Sequence, residues 1–488
     1  MNNQTGGFLH RHQDGVKLFH SAPAGTNFKT NLTARLDRLP WGRFHTVVTI
    51  ALGLGWMLDA FETNIIGSVL GQVRQVWHLS QAQGFDLVSS WVLGNFAGAL
   101  VFGYYSDRKG RKKMFIFTLV WYAVFSVVTA FSWNFYSLLA FRFLAAVGVG
   151  GEYSAVMAAM VEFIPTRHRG KTSALILAGF PVGGILSALF ADYFLNHFSA
   201  DVGWRLGFGV GALLAVVGLW VRYAIPESPR WLVTHGRGNE AEKIVSAVED
   251  SVTAEKGIVL EPVTATIQLG NERHGFARQM KELFSRHRWR IFLACSLNFA
   301  QASVVYGIMA LLSLVILPQV NVPAGRMPFF YFAGSLAALA GSLLAAFLLD
   351  AWGRKGTLLL GYTMATVGMV CLYFAATPAS VLLAYSLVQF CVIGASNSSY
   401  VVISEILPIR NRATGLGISV AAGRVGAFTV PILLSLAHRP GLALLVLTAM
   451  SLPGPVAALI WCVKGVEGKN RSLEEICNEV ATAPEQAI

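Results

Sequence analysis

Mostly apolar windows of about twenty or more residues recur along the chain near 45–70, 84–104, 113–132, 135–162, 171–195, 204–224, 290–317, 327–349, 356–376, 379–406, 413–437 and 440–463. Windows this long and this apolar predict membrane-spanning helices, because a hydrocarbon core of about 30 Å takes roughly 20 helical residues. The polar separators are short except at 225–288, which divides the windows six and six. That stretch is basic and poorly hydrophobic, and reads as a linker with a short helix near Glu240–Ser251, not a catalytic domain. The pattern gives a polar tail (1–44), a six-helix unit (45–224), the linker (225–288), a second six-helix unit (289–463) and a tail (464–488). The first 44 residues are polar and basic, unlike a cleavable leader, so the first window is expected to be a retained span.

Composition agrees. The chain is 54% hydrophobic and 13% charged, with 48 Gly and a mean hydropathy of +0.55. A soluble protein cannot cover that much apolar surface with so few charges, whereas lipid can serve as its solvent. Glycines let spans approach closely, and the 12 Trp and 13 Tyr suit the two interfaces.

The net charge of +12 does not point to nucleic acid, because its placement follows the membrane. With the N-terminus on the cytoplasmic side, 30 Lys and Arg fall in cytoplasmic segments and four (Arg74, Arg205, Arg326, Arg439) on the other face. Both termini are therefore expected inside, in a multi-pass protein of the plasma membrane, or the inner membrane of a bacterium. The lipid bilayer is the expected partner, and the chain is expected to be a monomer. Five Cys lack metal-ligand spacing and suggest neither a disulfide framework nor a metal site. Glycine runs such as Gly148-Val149-Gly150-Gly151 lie within spans and read as packing glycines, not nucleotide loops. No nucleotide, metalloprotease or hydrolase signature appears, so an enzyme is not expected.

The two six-helix units repeat one another. Asp107-Arg108-Lys109-Gly110-Arg111-Lys112 is matched 243 residues on by Asp350-Ala351-Trp352-Gly353-Arg354-Lys355. The same offset takes Glu162-Phe163-Ile164-Pro165 onto Glu405-Ile406-Leu407-Pro408, and Arg169 onto Arg412. A constant register over separated motifs implies an all-α membrane fold of twelve helices in two pseudo-symmetric bundles, with a cavity between them near mid-membrane.

These residues resemble the major facilitator superfamily over nearly the whole chain. Gly103-Tyr104-Tyr105-Ser106-Asp107-Arg108-Lys109-Gly110-Arg111-Lys112 is similar to its signature between the second and third spans. Arg142 with Gly148 and Gly150 resembles its fourth-span motif, and Pro226-Glu227-Ser228-Pro229-Arg230-Trp231-Leu232 resembles the sequence after the sixth span in sugar porters and organic-ion carriers. Gly468-Lys469-Asn470-Arg471-Ser472-Leu473-Glu474-Glu475-Ile476 is similar to the sugar-porter C-terminal signature, with its Pro-Glu-Thr opening altered. Leu36-Asp37-Arg38-Leu39-Pro40 and Asp59-Ala60-Phe61-Glu62 resemble the proton-coupled carriers of nicotinate and aromatic acids. In the seventh span Asn298, Gln301 and Tyr306 stand where sugar porters carry a Gln-Gln and Asn-Ala cluster.

Ionisable residues inside a bilayer are costly and are candidate functional groups. Asp59 and Glu62, three residues apart, are expected on one face of the first span, and residue counting puts Glu62 at the depth of Arg142. Burial and a neighbouring guanidinium pull a carboxylate's proton affinity in opposite directions. By resemblance Glu62 and Arg142 couple protons, with Asp59 and Glu152 as further candidates; a static tie between spans one and four is the alternative. Arg424, deep in the eleventh span, suits bidentate binding of a substrate carboxylate, or else a permanent pair with Glu152 or Asp59. Asn298, Gln301, Tyr306 and Asn397 are candidate substrate contacts, or polar packing between helices. By resemblance Asp107, Arg108, Arg111, Glu162 and Arg169, with Asp350, Arg354, Glu405 and Arg412, form salt bridges that lock one state and break in the other; the alternative is solvated orienting charge. The resemblance implies a secondary transporter for a small organic acid, driven by a proton gradient and needing no cofactor. A sugar or polyol symporter, a drug–proton antiporter, and a non-transporting sensor or scaffold are the alternatives.

Overall fold

The computed structural model describes residues 28–222, 225–263, 267–269, 276–407, 412–437 and 439–465. At several helical positions, Asp107, Glu152, Arg169, Asp350 and Arg412 among them, it describes the backbone alone. A short strand β1 (Phe28–Thr30) and helix α1 (Leu32–Asp37) lead into the first half. That half comprises α2 (Arg43–Val76), α3 (Gln81–Lys109), α4 (Arg111–Ala130), α5 (Phe135–Phe163), α6 (Thr166–Leu177) with α7 (Gly179–His197), and α8 (Ala200–Arg222). The connecting segment holds α9 (Pro229–Thr234), α10 (Gly238–Lys256), β2 (Ile267–Leu269) and α11 (Phe276–Arg286). The second half comprises α12 (Arg288–Leu311), which runs through a π-helical turn (Leu312–Ile316) into α13 (Leu317–Gln319), followed by α14 (Met327–Ala351) and α15 (Arg354–Tyr373). It ends with α16 (Pro378–Ile406), α17 (Arg412–Leu436) and α18 (Pro440–Ser451) with α19 (Pro453–Lys464).

Among the described residues, eleven segments are long and apolar enough to cross a membrane, and α5 adds an apolar stretch at Phe135–Gly151. The chain is a multi-pass membrane protein. Two expected single spans are each two helices. Pro181 cannot donate to the Leu177 carbonyl, and α6 stops there; Pro453 likewise opens α19.

The internal repeat extends to backbone detail. Gly110 (φ 101°) and Gly353 (φ 92°) hold the same sharp turn in each half, in a region that side chains with a Cβ rarely adopt. The Asn134 side chain accepts from the Ser137 amide at 2.8 Å, and Thr377 accepts from the Ser380 amide at 3.2 Å, capping α5 and α16. A Cβ on Gly98 would strike the Val147 carbonyl oxygen, and one on Gly341 the Phe390 carbonyl oxygen. The close α3–α5 and α14–α16 contacts therefore have one cause in both halves.

The core is arranged asymmetrically across the membrane. Away from the basic loops, one apolar cluster joins both halves, from Phe61–Val73 on α2 to Val304–Leu317 on α12 and its extension. Glycines let the halves meet there: Gly67 lies under Met309 and Tyr331, Gly71 under Met327, and Gly84 under Leu314. Arg74 donates to the Leu314 carbonyl across this seam at 2.8 Å. Toward the basic loops the clusters are separate, one in each half.

The segment read as a linker is more structured than expected. Its helix runs from Gly238 to Lys256, and Val245, Val248 and Val252 pack with Leu32, Leu36 and Leu39 of the N-terminal segment. Arg35 donates to Glu249 (2.6 Å) and pairs with Glu242, and Asp37 accepts from the Thr166 amide at 2.6 Å, capping α6. β1 pairs with β2, an addition to an otherwise helical fold. Short leucine and valine spacings split between two distant segments hid this unit, since neither half has a face to bury alone.

Candidate functional site

A cavity of about 940 Å³, its mouth included, lies between the halves. The first half contributes Trp56, Asp59 and Thr63 from α2, Asn95 from α3 and Phe180 from α7. The second contributes Asn298, Gln301 and Tyr306 from α12, Asn397 and Tyr400 from α16, and Arg424 from α17. Its charged walls are thus Asp59 on one half and Arg424 on the other.

Arg424 donates to the Tyr306 hydroxyl at 3.4 Å, and among the described residues no carboxylate lies within ion-pair distance of it. Of the fixed partners considered for it, Asp59 makes no ion pair with it, and the Glu152 side chain lies outside the described residues. A guanidinium facing a cavity, with a phenol as its partner among the described residues, keeps most of its five donors for a ligand. The amide of Gln301 donates to the Tyr400 hydroxyl (3.5 Å), Asn397 to Ser342 (2.5 Å) and Asn298 to the Ala294 carbonyl (3.2 Å). Ser398, close by in sequence, turns back to the Gly394 carbonyl.

Glu62 and Arg142 do meet, at 2.9 Å, and both side chains have no accessible surface. Arg142 also donates to the Glu62 carbonyl oxygen (3.1 Å), and the Ser126 hydroxyl donates to the Glu62 carboxylate (3.2 Å). The guanidinium lies 3.9 Å from the Trp91 ring centroid and 4.8 Å from that of Phe208. Gly211 packs so closely on the Glu62 carboxylate that a Cβ there would collide with it. Asp59 and Glu62 therefore do not share a face, contrary to expectation. Three residues leave a helix about 60° short of a full turn. The cavity lies on the other side of Asp59, where Trp56 and Thr63 stand about 60° and 40° round the helix, so Glu62 turns into the first bundle.

At the basic face Arg111 pairs with Glu162, and 243 residues on Arg354 pairs with Glu405 through two contacts of 3.1 Å. Each joins neighbouring helices within one half, α4 to α5 and α15 to α16. Glu227, from the sequence after the sixth span, accepts from the Arg111 (3.0 Å) and Lys112 (3.1 Å) amides at the start of α4. Among the described residues Arg108 makes no ion pair in this state and lies over the Tyr104 ring at 4.2 Å. Arg108 is exposed on the last turn of α3, four residues from Tyr104, so the nearest flat surface is on its own helix. The side chains of Asp107, Arg169, Asp350 and Arg412 lie outside the described residues.

Trp56, Thr63, Asn95, Phe180 and Tyr400 line the cavity without having been singled out in the sequence. Helical spacing from Asp59 (Trp56, Thr63) and from Asn397 (Tyr400) was the available signal; Asn95 carried only its polarity within an apolar span.

Comparison with known proteins extends the picture. The family model for "Sugar (and other) transporter" matches residues 47–479. The niacin transporter NiaP of Acinetobacter baylyi is 30% identical over 454 residues, covering 91% of this chain and 99% of that one. The putative niacin/nicotinamide transporter NiaP of Bacillus subtilis is 28% identical, covering 78% and 86%. The xylose transporter XylE of E. coli, in a partially occluded inward-open conformation, superposes with a TM-score of 0.69 at 21% identity, covering 88% of this chain and all of that one. The chain belongs to the sugar (and other) transporter family and has the fold of the major facilitator superfamily.

Proposed function

We propose that this protein is a proton-coupled carrier that takes up a small organic acid, aromatic or nicotinate-like, by rocking of its two bundles. The observation that carries the reading is Arg424, a cavity-facing guanidinium whose described surroundings offer it only the Tyr306 hydroxyl. A carboxylate would answer that charge in two parallel hydrogen bonds. Trp56, Phe180 and Tyr400 add apolar and aromatic surface suited to a ring. Two relatives named as niacin transporters agree with this substrate class. With the basic loops on the cytoplasmic side, the apolar seam joining the halves closes the outer face. A proton from the cavity meets Asp59 first, and the Glu62–Arg142 pair behind it is the coupling element, opened to water in another state of the cycle.

Proteoliposome uptake separates the parts of this reading. An inward proton gradient is expected to drive nicotinate or benzoate accumulation and not hexose accumulation; the reverse would give the protein to the sugars. Glu62→Gln is expected to abolish accumulation and spare counterflow exchange. If accumulation survives in that variant, coupling belongs to Asp59 or Glu152.

A further inference from the structure

The cavity has two chemically different poles. Arg424 and Tyr306 lie on the second half, and Asp59 and Asn95 lie on the first. Asn95 is 4% exposed, lines the cavity, and its side-chain carbonyl oxygen has no hydrogen-bond partner among the described residues. The Gln301 side-chain carbonyl is likewise unpartnered, because its amide nitrogen is turned to Tyr400. Carbonyl and carboxylate oxygens accept and do not donate. A buried acceptor left without a donor is unfavourable, so a ligand that supplies one gains more than the hydrogen bond is worth in water. The same asymmetry makes a polar site reject an analogue that lacks the matching group far more strongly than an apolar pocket rejects a missing methylene.

We propose that the cavity selects acids bearing an N–H or O–H donor away from the carboxylate, with Arg424 holding the carboxylate and Asn95 taking the donor. This rests on the organic-acid reading above and narrows it to acids that carry such a donor, with nicotinate and benzoate, which carry none, as weaker ligands. The ligand bridges the two halves by its two ends, so both bundles sense whether the site is filled. An acid without the donor satisfies only one wall.

The test is competition binding to the full-length, detergent-purified protein with four aromatic acids of similar size: 3-hydroxybenzoate, 3-aminobenzoate, benzoate and 3-methoxybenzoate. The first two are expected to bind at least about tenfold more tightly than the last two, in keeping with the discrimination of buried polar sites. The methoxy compound keeps the oxygen, loses the donor and adds one methyl group. Asn95→Leu is expected to abolish the preference, bringing the ratio of the first pair's affinity to that of benzoate from at least about tenfold to near one. Equal binding of all four to the native protein, abolished by Arg424→Ala, overturns the donor requirement and leaves the organic-acid reading standing. Failure of all four to bind overturns that reading and this inference with it. Equal weakening of all four by Asn95→Leu assigns Asn95 to packing and overturns its role.

Discussion

A guanidinium and a carboxylate without accessible surface hold each other in place only as long as both are present. Removing Arg142 leaves Glu62 buried among Trp91, Phe208 and Tyr122 with the Ser126 and Tyr122 hydroxyls as side-chain donors and no cation. Breaking one side of a buried pair typically destabilises by about 3–5 kcal/mol, whereas neutralising both sides does much less harm. Arg142→Ala is therefore expected to lower the unfolding midpoint in detergent well below that of the Glu62→Gln/Arg142→Gln double variant. Equal midpoints would mean that the pair contributes packing and no net charge compensation. The meeting of these two residues was legible in the sequence, because depth in a span follows from counting at 1.5 Å per residue. Which way each pointed was not, since a 60° difference between Asp59 and Glu62 has no meaning until the neighbouring helices are placed. Arg108 shows the same limit: its motif was readable, but the Tyr104 ring beneath it depended on local geometry.

At the scale of elements, the helices were read within a few residues because a bilayer sets their length and apolar composition. The breaks at Ala178 and Leu452 were missed, although Pro181 and Pro453 mark both. The unit formed by α1, α9 and α10 was read only as a helix in a linker, because its apolar face is assembled from segments about two hundred residues apart. Its attachment is partly electrostatic. Burial alone would raise the Glu249 carboxyl, but hydrogen bonds from Arg35 and Arg38 hold it below the ordinary glutamate range. Its contribution to docking is thus present above the ordinary glutamate value and lost as the pH falls through the lowered one. Amide exchange in Leu32–Asp37, corrected for intrinsic rates, is expected to stay constant from neutral pH down to that range and to quicken below it. Asp37→Ala removes the cap of α6, worth about 1 kcal/mol, and is expected to quicken exchange in the first turn of α6 at all pH values. Unchanged protection in that turn would show that the cap is dispensable.

On the scale of the molecule, the halves are fused on one side and separate on the other, and small residues make the fusion possible. A large side chain at Gly71 would meet Met327 and hold the halves apart. Gly71→Trp is expected to expose a cysteine placed at the buried Ser335 to a membrane-impermeant maleimide, in a background without the native cysteines. Equal labelling with and without the tryptophan would mean that this seam is not the closing surface. The twofold architecture was plain in the 243-residue register of Asp107 with Asp350 and Glu162 with Glu405. The seam was not, because its glycines are scattered among many that only pack one span on the next.

The bond from Arg74 to the Leu314 carbonyl has a genetic corollary. Its acceptor is main chain, and Pro318, four residues on, has no N–H to compete for it. Substitutions along Leu312–Ile316 can change the shape of the catch but cannot delete its oxygen. Drift in this carrier should accordingly tolerate many side chains at Leu314 and few at Arg74, the single codon through which the fastening can be lost.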